Sequence, residues 1–233
     1  MTGPRAVTRR TEVAPERLAG WIDRFAAAHG DVAARAEGGE VVLSAADGGL
    51  ARLTVPFPPM AAEPSAVDDE LVASLTAHVV RGRRVGVLLV RLGGHAAGVF
   101  EGSRLVASKV GSRQVHGRSA AGGWSQQRFA RRREGQVRVA LAAAADVATR
   151  ILLPQVTRLD AVVLGGDRRS VEAVLADPRL SPLRALVAPP LLDVPDPRLA
   201  VLEATASRFR AVRVEVVYPP DGTDGPGVRM RPH

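Results

Sequence analysis

The residues best suited to chemistry lie in one stretch, residues 111–136, which reads GSRQVHGRSAAGGWSQQRFARRREGQ. Gly122 and Gly123 give the backbone φ freedom and leave room for a bulky ligand to approach. Gln126 and Gln127 carry neutral amides, which can orient a water or donate to an oxyanion without titrating. Arg128, Arg131, Arg132, Arg133 and Arg138 crowd a helix start, where phosphates would also meet unpaired backbone N–H groups. A glycine loop that ends in glutamine and leads into an arginine-rich helix suits delivery of a neutral polar group beside a nucleic-acid backbone. His116 stands two residues from Arg118, where an RNA contact is favoured over general-base work. Trp124 can stack on a base or anchor the loop against its own domain, and the residues leave both open.

Charge supports the same segment. The chain has 233 residues and a formal net charge of +8. From Arg104 to Arg138 there are nine basic residues against Glu134 alone, so the rest of the chain is close to neutral. A charge confined to one segment is a binding footprint for a polyanion, whereas a uniform excess would act only on solubility. Lys109 is the sole lysine, and the Ala, Val, Gly and Pro content matches a GC-rich coding bias, so the preference for arginine is in part compositional. With no cysteine, disulfides, thiolate metal sites and thiol nucleophiles are excluded. No apolar run approaches the roughly 20 residues that span a bilayer, and the start of the chain lacks a signal core. A cytoplasmic chain without a membrane partner is expected.

The elements that position the loop are legible from periodicity. Residues 15–29 read as a helix with Leu18, Trp21, Ile22 and Phe25 on one face and Gly30 as its stop. Residues 41–43 and 50–55 read as strands joined through Asp47-Gly48-Gly49. Residues 56–64 carry four prolines and mark a linker; 68–80 read as a second helix, with Asp68 and Asp69 favourable at its start. Three short strands follow at 85–90, 96–100 and 105–110, separated by Gly93-Gly94 and Gly102-Ser103, as in a meander of hairpins. After the loop, a helix over 125–153 has the strongest periodicity in the chain, with arginines in its first turns and apolar residues later. Its front should project toward a partner while its rear packs on the sheet. A buried strand at 161–164, a helix at 170–176, a strand at 183–187, a helix at 199–209 and a strand at 212–217 complete the reading. The expected fold class is α/β, a mixed sheet flanked by helices, with a small N-terminal α+β extension. The expected domains are an extension over 1–65, a catalytic domain over 66–218 and a disordered Pro/Gly-rich tail over 219–233. Gly165-Gly166-Asp167 lies between strand and helix but lacks the Walker lysine and the full dinucleotide glycine pattern, so it reads as a structural turn.

Several motifs together resemble the catalytic domain of eukaryotic and archaeal class I release factors. That family has three short strands, a basic H-G-R stretch, Gly-Gly-Gln, and then S-x-x-R-F-x-R opening a long helix. Here His116-Gly117-Arg118, Gly122-Gly123, Ser125, Arg128-Phe129 and Arg131 stand at matching spacing, and the likeness spans residues 85–217. Gly98-Val99-Phe100 and Val162-Val163-Leu164-Gly165-Gly166 are similar too. The chain looks closest to the release-factor-like peptidyl-tRNA hydrolases of ribosome quality control, in their actinobacterial branch. The pattern departs at one position: the release-factor glutamine falls on Trp124, giving Gly-Gly-Trp-Ser-Gln. In the quality-control branch the glutamine is displaced from the glycine pair by an inserted serine, which makes Gln126 the best match and Gln127 the reserve.

The resemblance implies a ribonuclease H-like topology and a loop that enters the peptidyl transferase centre of the large ribosomal subunit. There Gln126, by side chain or backbone N–H, would place a water against the peptidyl-tRNA ester, with Gly122 and Gly123 shaping the loop. His116, Arg118, Trp124, Arg128, Arg131, Arg132 and Arg133 would contact tRNA or ribosomal RNA without reading sequence. No metal or cofactor is implied, since positioning and oxyanion stabilisation can supply much of the catalysis. A monomer would suffice. Two other readings stay open: a ribosome-associated nuclease that cuts the tRNA 3′ end, and a binding module without catalysis. A stop-codon-reading factor is disfavoured, because residues 1–65 are too few for the family's decoding domain.

Overall fold

The computed structural model describes residues 7–60, 68–112 and 125–218, the side chains of 7 and 125–132 excepted. In chain order the elements are β1 (Val7–Val13), α1 (Leu18–His29), β2 (Val32–Glu37), β3 (Glu40–Ala45), β4 (Leu50–Thr54), α2 (Asp68–Val80), β5 (Arg84–Arg91), β6 (Gly94–Glu101) and β7 (Arg104–Ser112). They continue with α3 (Ser125–Leu152), β8 (Ala161–Gly166), α4 (Arg168–Leu175), α5 (Ser181–Arg184), β9 (Val187–Leu192), α6 (Leu199–Arg210) and β10 (Val212–Tyr218). They form two compact units, one of residues 1–81 and 210–233, the other of residues 82–209.

The first unit is a five-stranded antiparallel sheet in the order β1-β10-β4-β3-β2. One face packs on α1 and α2. Leu18, Ile22 and Phe25 of α1 recur at helical spacing and are buried, as are Leu71, Leu75 and Val79 of α2. They meet Val41, Leu43, Ala51, Leu53, Val212 and Val214 of the sheet, each fully buried side chain being worth roughly 1.5–3 kcal/mol. The α1 helix stops at Gly30, whose φ of 85° suits glycine and whose N–H bonds the Ala26 carbonyl. Asp68, Asp69 and Glu70 occupy the first turn of α2, where its dipole favours negative charge.

The second unit is a five-stranded sheet in the order β7-β6-β5-β8-β9. β5, β6 and β7 form an antiparallel meander, and β8 and β9 add in parallel to β5. Counted within the unit, the order 3-2-1-4-5 with only the second strand reversed is the expected ribonuclease H-like arrangement. Both faces are covered, so β5 reads Val-Gly-Val-Leu-Leu-Val as one buried run. Leu88, Val90, Ala97 and Val99 face α3 and α4; Phe100 on the opposite face meets Phe209 of α6, ring centroids 5.4 Å apart. The expected mixed sheet flanked by helices is therefore present.

Four expectations change. The boundaries proposed at 65/66 and 218 differ from the units: α2 and β10 join the first unit, because β10 hydrogen-bonds between β1 and β4. That pairing joins residues about two hundred positions apart, beyond the reach of local patterns. β1 and β2 are likewise absent from the sequence reading, because both are edge strands whose side chains are mostly exposed and show no apolar alternation. The strand expected at 183–187 is the short helix α5, followed by β9, which contains Pro189 and Pro190. Prolines are tolerated there because β9 is an edge strand with one unpaired side. Finally, the stretch Arg133–Arg158 is long and apolar enough by composition to cross a bilayer, contrary to expectation. Ala144, Ala145, Ala148 and Leu152 within it are buried in the second unit's core, as in a core helix. The expected disordered tail lies outside the described residues.

Candidate nucleic-acid interface

The meander sets where the functional segment leaves and rejoins the second unit. β6 and β7 pair through to Gly94↔Ser112, after which the chain departs from the sheet and returns as α3 at Ser125. His95 and Gly111 form the preceding pair, and the buried imidazole lies where a Gly111 side chain would stand. Any Cβ at position 111 would collide with the His95 ring, so the exit of β7 requires glycine by close approach.

The α3 helix runs 28 residues, about 42 Å at 1.5 Å per residue. Its rear half is held by Ala144, Ala145, Ala148 and Leu152. Small alanines let the helix approach the sheet closely, and Leu152 fills the space over Gly86. Forward of Ala144 no described α3 residue is fully buried, and Arg133, Glu134, Arg138 and Val139 are exposed. The expected division between projecting front and packed rear is thus present among the described residues.

In the rear half, Asp146 accepts from Arg179 Nη1 at 2.9 Å, while Asp177 accepts from Nη2 of the same arginine at 2.7 Å. The guanidinium beside Asp177 holds that carboxyl below the usual carboxylate range. In the front half, Arg133 and Arg138 make no ion pair among the described residues. Cations left unpaired on an exposed helix face are available to phosphates.

Of the expected site residues, Gln126, Gln127, Arg128, Arg131 and Arg132 lie on the helical backbone of the first turns of α3. Arg133 follows them on the exposed face. His116, Arg118, Gly122, Gly123 and Trp124 lie outside the described residues. Arg138 belongs with the unpaired set: although Glu134 stands four residues before it, the two form no ion pair. At the Gly165-Gly166-Asp167 turn, Gly166 has φ of 101° and its neighbour Val90 leaves no space for a Cβ. Asp167 Oδ2 accepts from the Ser170 N–H at 2.8 Å and from its hydroxyl at 2.7 Å, so the start of α4 is capped by its own chain. Those bonds, and then Arg169 and Arg91, hold the Asp167 carboxyl below its ordinary value. The expected structural turn describes it well.

Sequence reasoning also passed over His29 and Asp47 in the first unit, whose Nδ1 and Oδ2 lie 2.7 Å apart. Asp47 also accepts the Gly49 N–H at 2.9 Å, and the His29 ring lies against Phe25 and Tyr218 at 4.7 and 5.6 Å. Surrounded by aromatic rings and turn backbone, the pair ties the end of α1 to the β3–β4 turn. No signal short of the folded helix end would reveal it.

Comparison with known proteins gives three findings. No curated protein matches the chain. Among solved structures, one titled "Archaeal protein" is 15% identical with a TM-score of 0.38, over 72% of this chain and 51% of that one. The archaeal translation termination factor aRF1 is 14% identical with a TM-score of 0.40, over 88% of this chain and 68% of that one. The chain thus spans about half the length of the first. A family model described as the Actinobacteria/chloroflexi VLRF1 release factor matches residues 83–215, which hold β5 through most of β10 and the whole of α3. The chain belongs to the actinobacterial and chloroflexal VLRF1 release-factor family.

Proposed function

We propose that the protein is a peptidyl-tRNA hydrolase that releases nascent peptides from stalled large ribosomal subunits, acting in the cytoplasm as a monomer. The observation that carries this reading is the division of α3, whose rear is locked into a release-factor-family domain while its front presents unpaired arginines. Gly122 and Gly123 would shape the loop that enters the peptidyl transferase centre. Gln126, or Gln127 in its place, would hold a water against the ester carbonyl. The water oxygen bonds to that carbon, the bond to the tRNA ribose oxygen breaks, and a water proton passes to the departing oxygen. A tRNA with an intact 3′ end and a peptide with a free carboxyl result. Fixed amide dipoles suit this step, because they need no reorganisation as negative charge develops on the carbonyl oxygen. His116, Arg118, Trp124, Arg128, Arg131, Arg132 and Arg133 would grip tRNA or ribosomal RNA.

The test is a single-turnover incubation with isolated large subunits carrying labelled peptidyl-tRNA. Free peptide and full-length tRNA are expected from the wild type. Loss by about a hundredfold or more is expected in Gln126→Ala, by the measure of a removed oxyanion donor. A tRNA shortened at its 3′ end would assign a nuclease, and binding without any product would assign a non-catalytic module.

A further inference from the structure

Alongside the front of α3 runs a groove of about 590 Å³, walled on one side by Val137, Leu141 and Ala145 and on the other by Ala173, Val174 and Ala176 of α4 and its end. Apolar side chains at the first two α3 positions remain partly exposed, although one turn further along the same stripe is buried. Arg133 and Arg138 stand at its rim without an ion pair among the described residues, whereas Asp177 across the groove is engaged by Arg179, which it shares with Asp146. The floor is aliphatic, the free rim charges are mainly cationic, and the volume falls in the range of small-ligand sites, roughly 300–1,000 Å³.

We propose that this groove is a nucleotide subsite: it takes one unstacked nucleotide of single-stranded RNA, base against Val137, Leu141 and Ala173, phosphates on Arg133 and Arg138. RNA-binding proteins commonly grip bases splayed out of the helix, and an apolar wall can sandwich a base while cations hold its backbone. Glu134, the remaining acid in the lining, then has a use: its carboxylate accepts from an exocyclic amino group at the base edge. The inference deepens the RNA contact assigned to Arg133, but it concerns binding and does not depend on ester hydrolysis.

The experiment uses the full chain and a labelled 12-nucleotide RNA that does not self-pair, alone and annealed to its complement, by fluorescence anisotropy over a salt series. The wild type should prefer the single strand by about tenfold. Ala173→Trp, at an exposed position, fills the groove without altering charge; it should abolish that preference and leave the salt slope unchanged. Arg133→Gln with Arg138→Gln should reduce the log–log salt slope by about 1.4, at about 0.7 per phosphate on a single strand. Thermal melting confirms that each variant is folded, and Val137→Asp serves if the tryptophan variant is not. Equal wild-type affinity for single strand and duplex would overturn the proposal, as would a folded groove variant that keeps the preference. Displacement of the RNA by a glutamate-rich peptide through Val137 and Leu141 would assign the groove to an acidic protein instead. Because no ribosome is present, each outcome is read separately from peptide release.

Discussion

The two units use the same quantity of sheet and the same charged residues to opposite ends. In the first, the sheet face away from α1 and α2 carries Arg10, Arg213, Arg52 and Arg35 among Glu12, Glu215, Glu40 and Glu37, and register sets Arg10 and Arg52 opposite Glu215 and Arg213 opposite Glu12. Arg10 meets Glu215 at 3.3 Å, Arg35 meets Glu37 at 3.4 Å, and Arg52 lies within 4.0 Å of both Glu37 and Glu40. Four arginines balance four glutamates, so such a face offers no net field to a polyanion. In the second unit both sheet faces are buried, and Arg133 and Arg138 stand on a projecting helix without partners among the described residues. The number of arginines therefore does not locate a binding surface. Their pairing does.

The comparison can be broken at its base by showing that the second unit's buried sheet is loosely packed. Phe100→Ala removes a fully buried ring packed edge-on against Phe209 and should cost about 3–5 kcal/mol in denaturant unfolding. A loss under 1 kcal/mol would mean that the sheet face under α6 is looser than described. The sharper test sets two arginine pairs side by side. Arg133→Gln with Arg138→Gln should weaken RNA binding about tenfold near physiological salt, while Arg10→Gln with Arg52→Gln should change it less than twofold. Equal effects would erase the distinction between paired and unpaired charge.

A smaller effect concerns the turn before α4. Asp167→Ala should cost about 1 kcal/mol at neutral pH by removing the cap. The Asp167 carboxyl titrates below its ordinary value when folded, so its contribution is present above the unfolded value near 3.9 and fades as pH falls through the folded one. Wild-type stability should therefore drop toward the variant's below about pH 4, read by thermal melts across pH. A gap that persists unchanged at pH 2 would show that the carboxylate's charge is not what matters there. The smallest effect belongs to the sheet face itself: Glu215→Gln should cost no more than about 1 kcal/mol, as exposed ion pairs do.

The parts of the fold legible in sequence were those with local period. The α3 stripe, the β5–β7 meander with its glycine turns, and α2 from its acidic first turn are set by contacts a few residues apart. β1, β2 and the destination of β10 were not legible, because an edge strand such as β1 buries almost nothing that would mark its sequence. β9 was masked by Pro189 and Pro190, which argue against a strand until an edge position removes the objection. In the candidate site, residue types and spacing pointed to the glutamines and arginines of the loop and helix. They could not distinguish Arg138 free from Arg138 paired with Glu134.

By itself, the sequence determined that one segment of the chain is cationic, that a glycine pair and two glutamines precede a long helix, and that the helix has one apolar stripe. Composition and the 3.6-residue period suffice for each. Tertiary structure decided which half of that stripe is buried, since only the facing strands and α4 say where the packing stops. It also decided which arginines are neutralised, because Asp146 reaches Arg179 and Glu215 reaches Arg10 from far along the chain. Non-local pairing is what turns a charged residue into either a fastening or a binding group, and no local pattern encodes it.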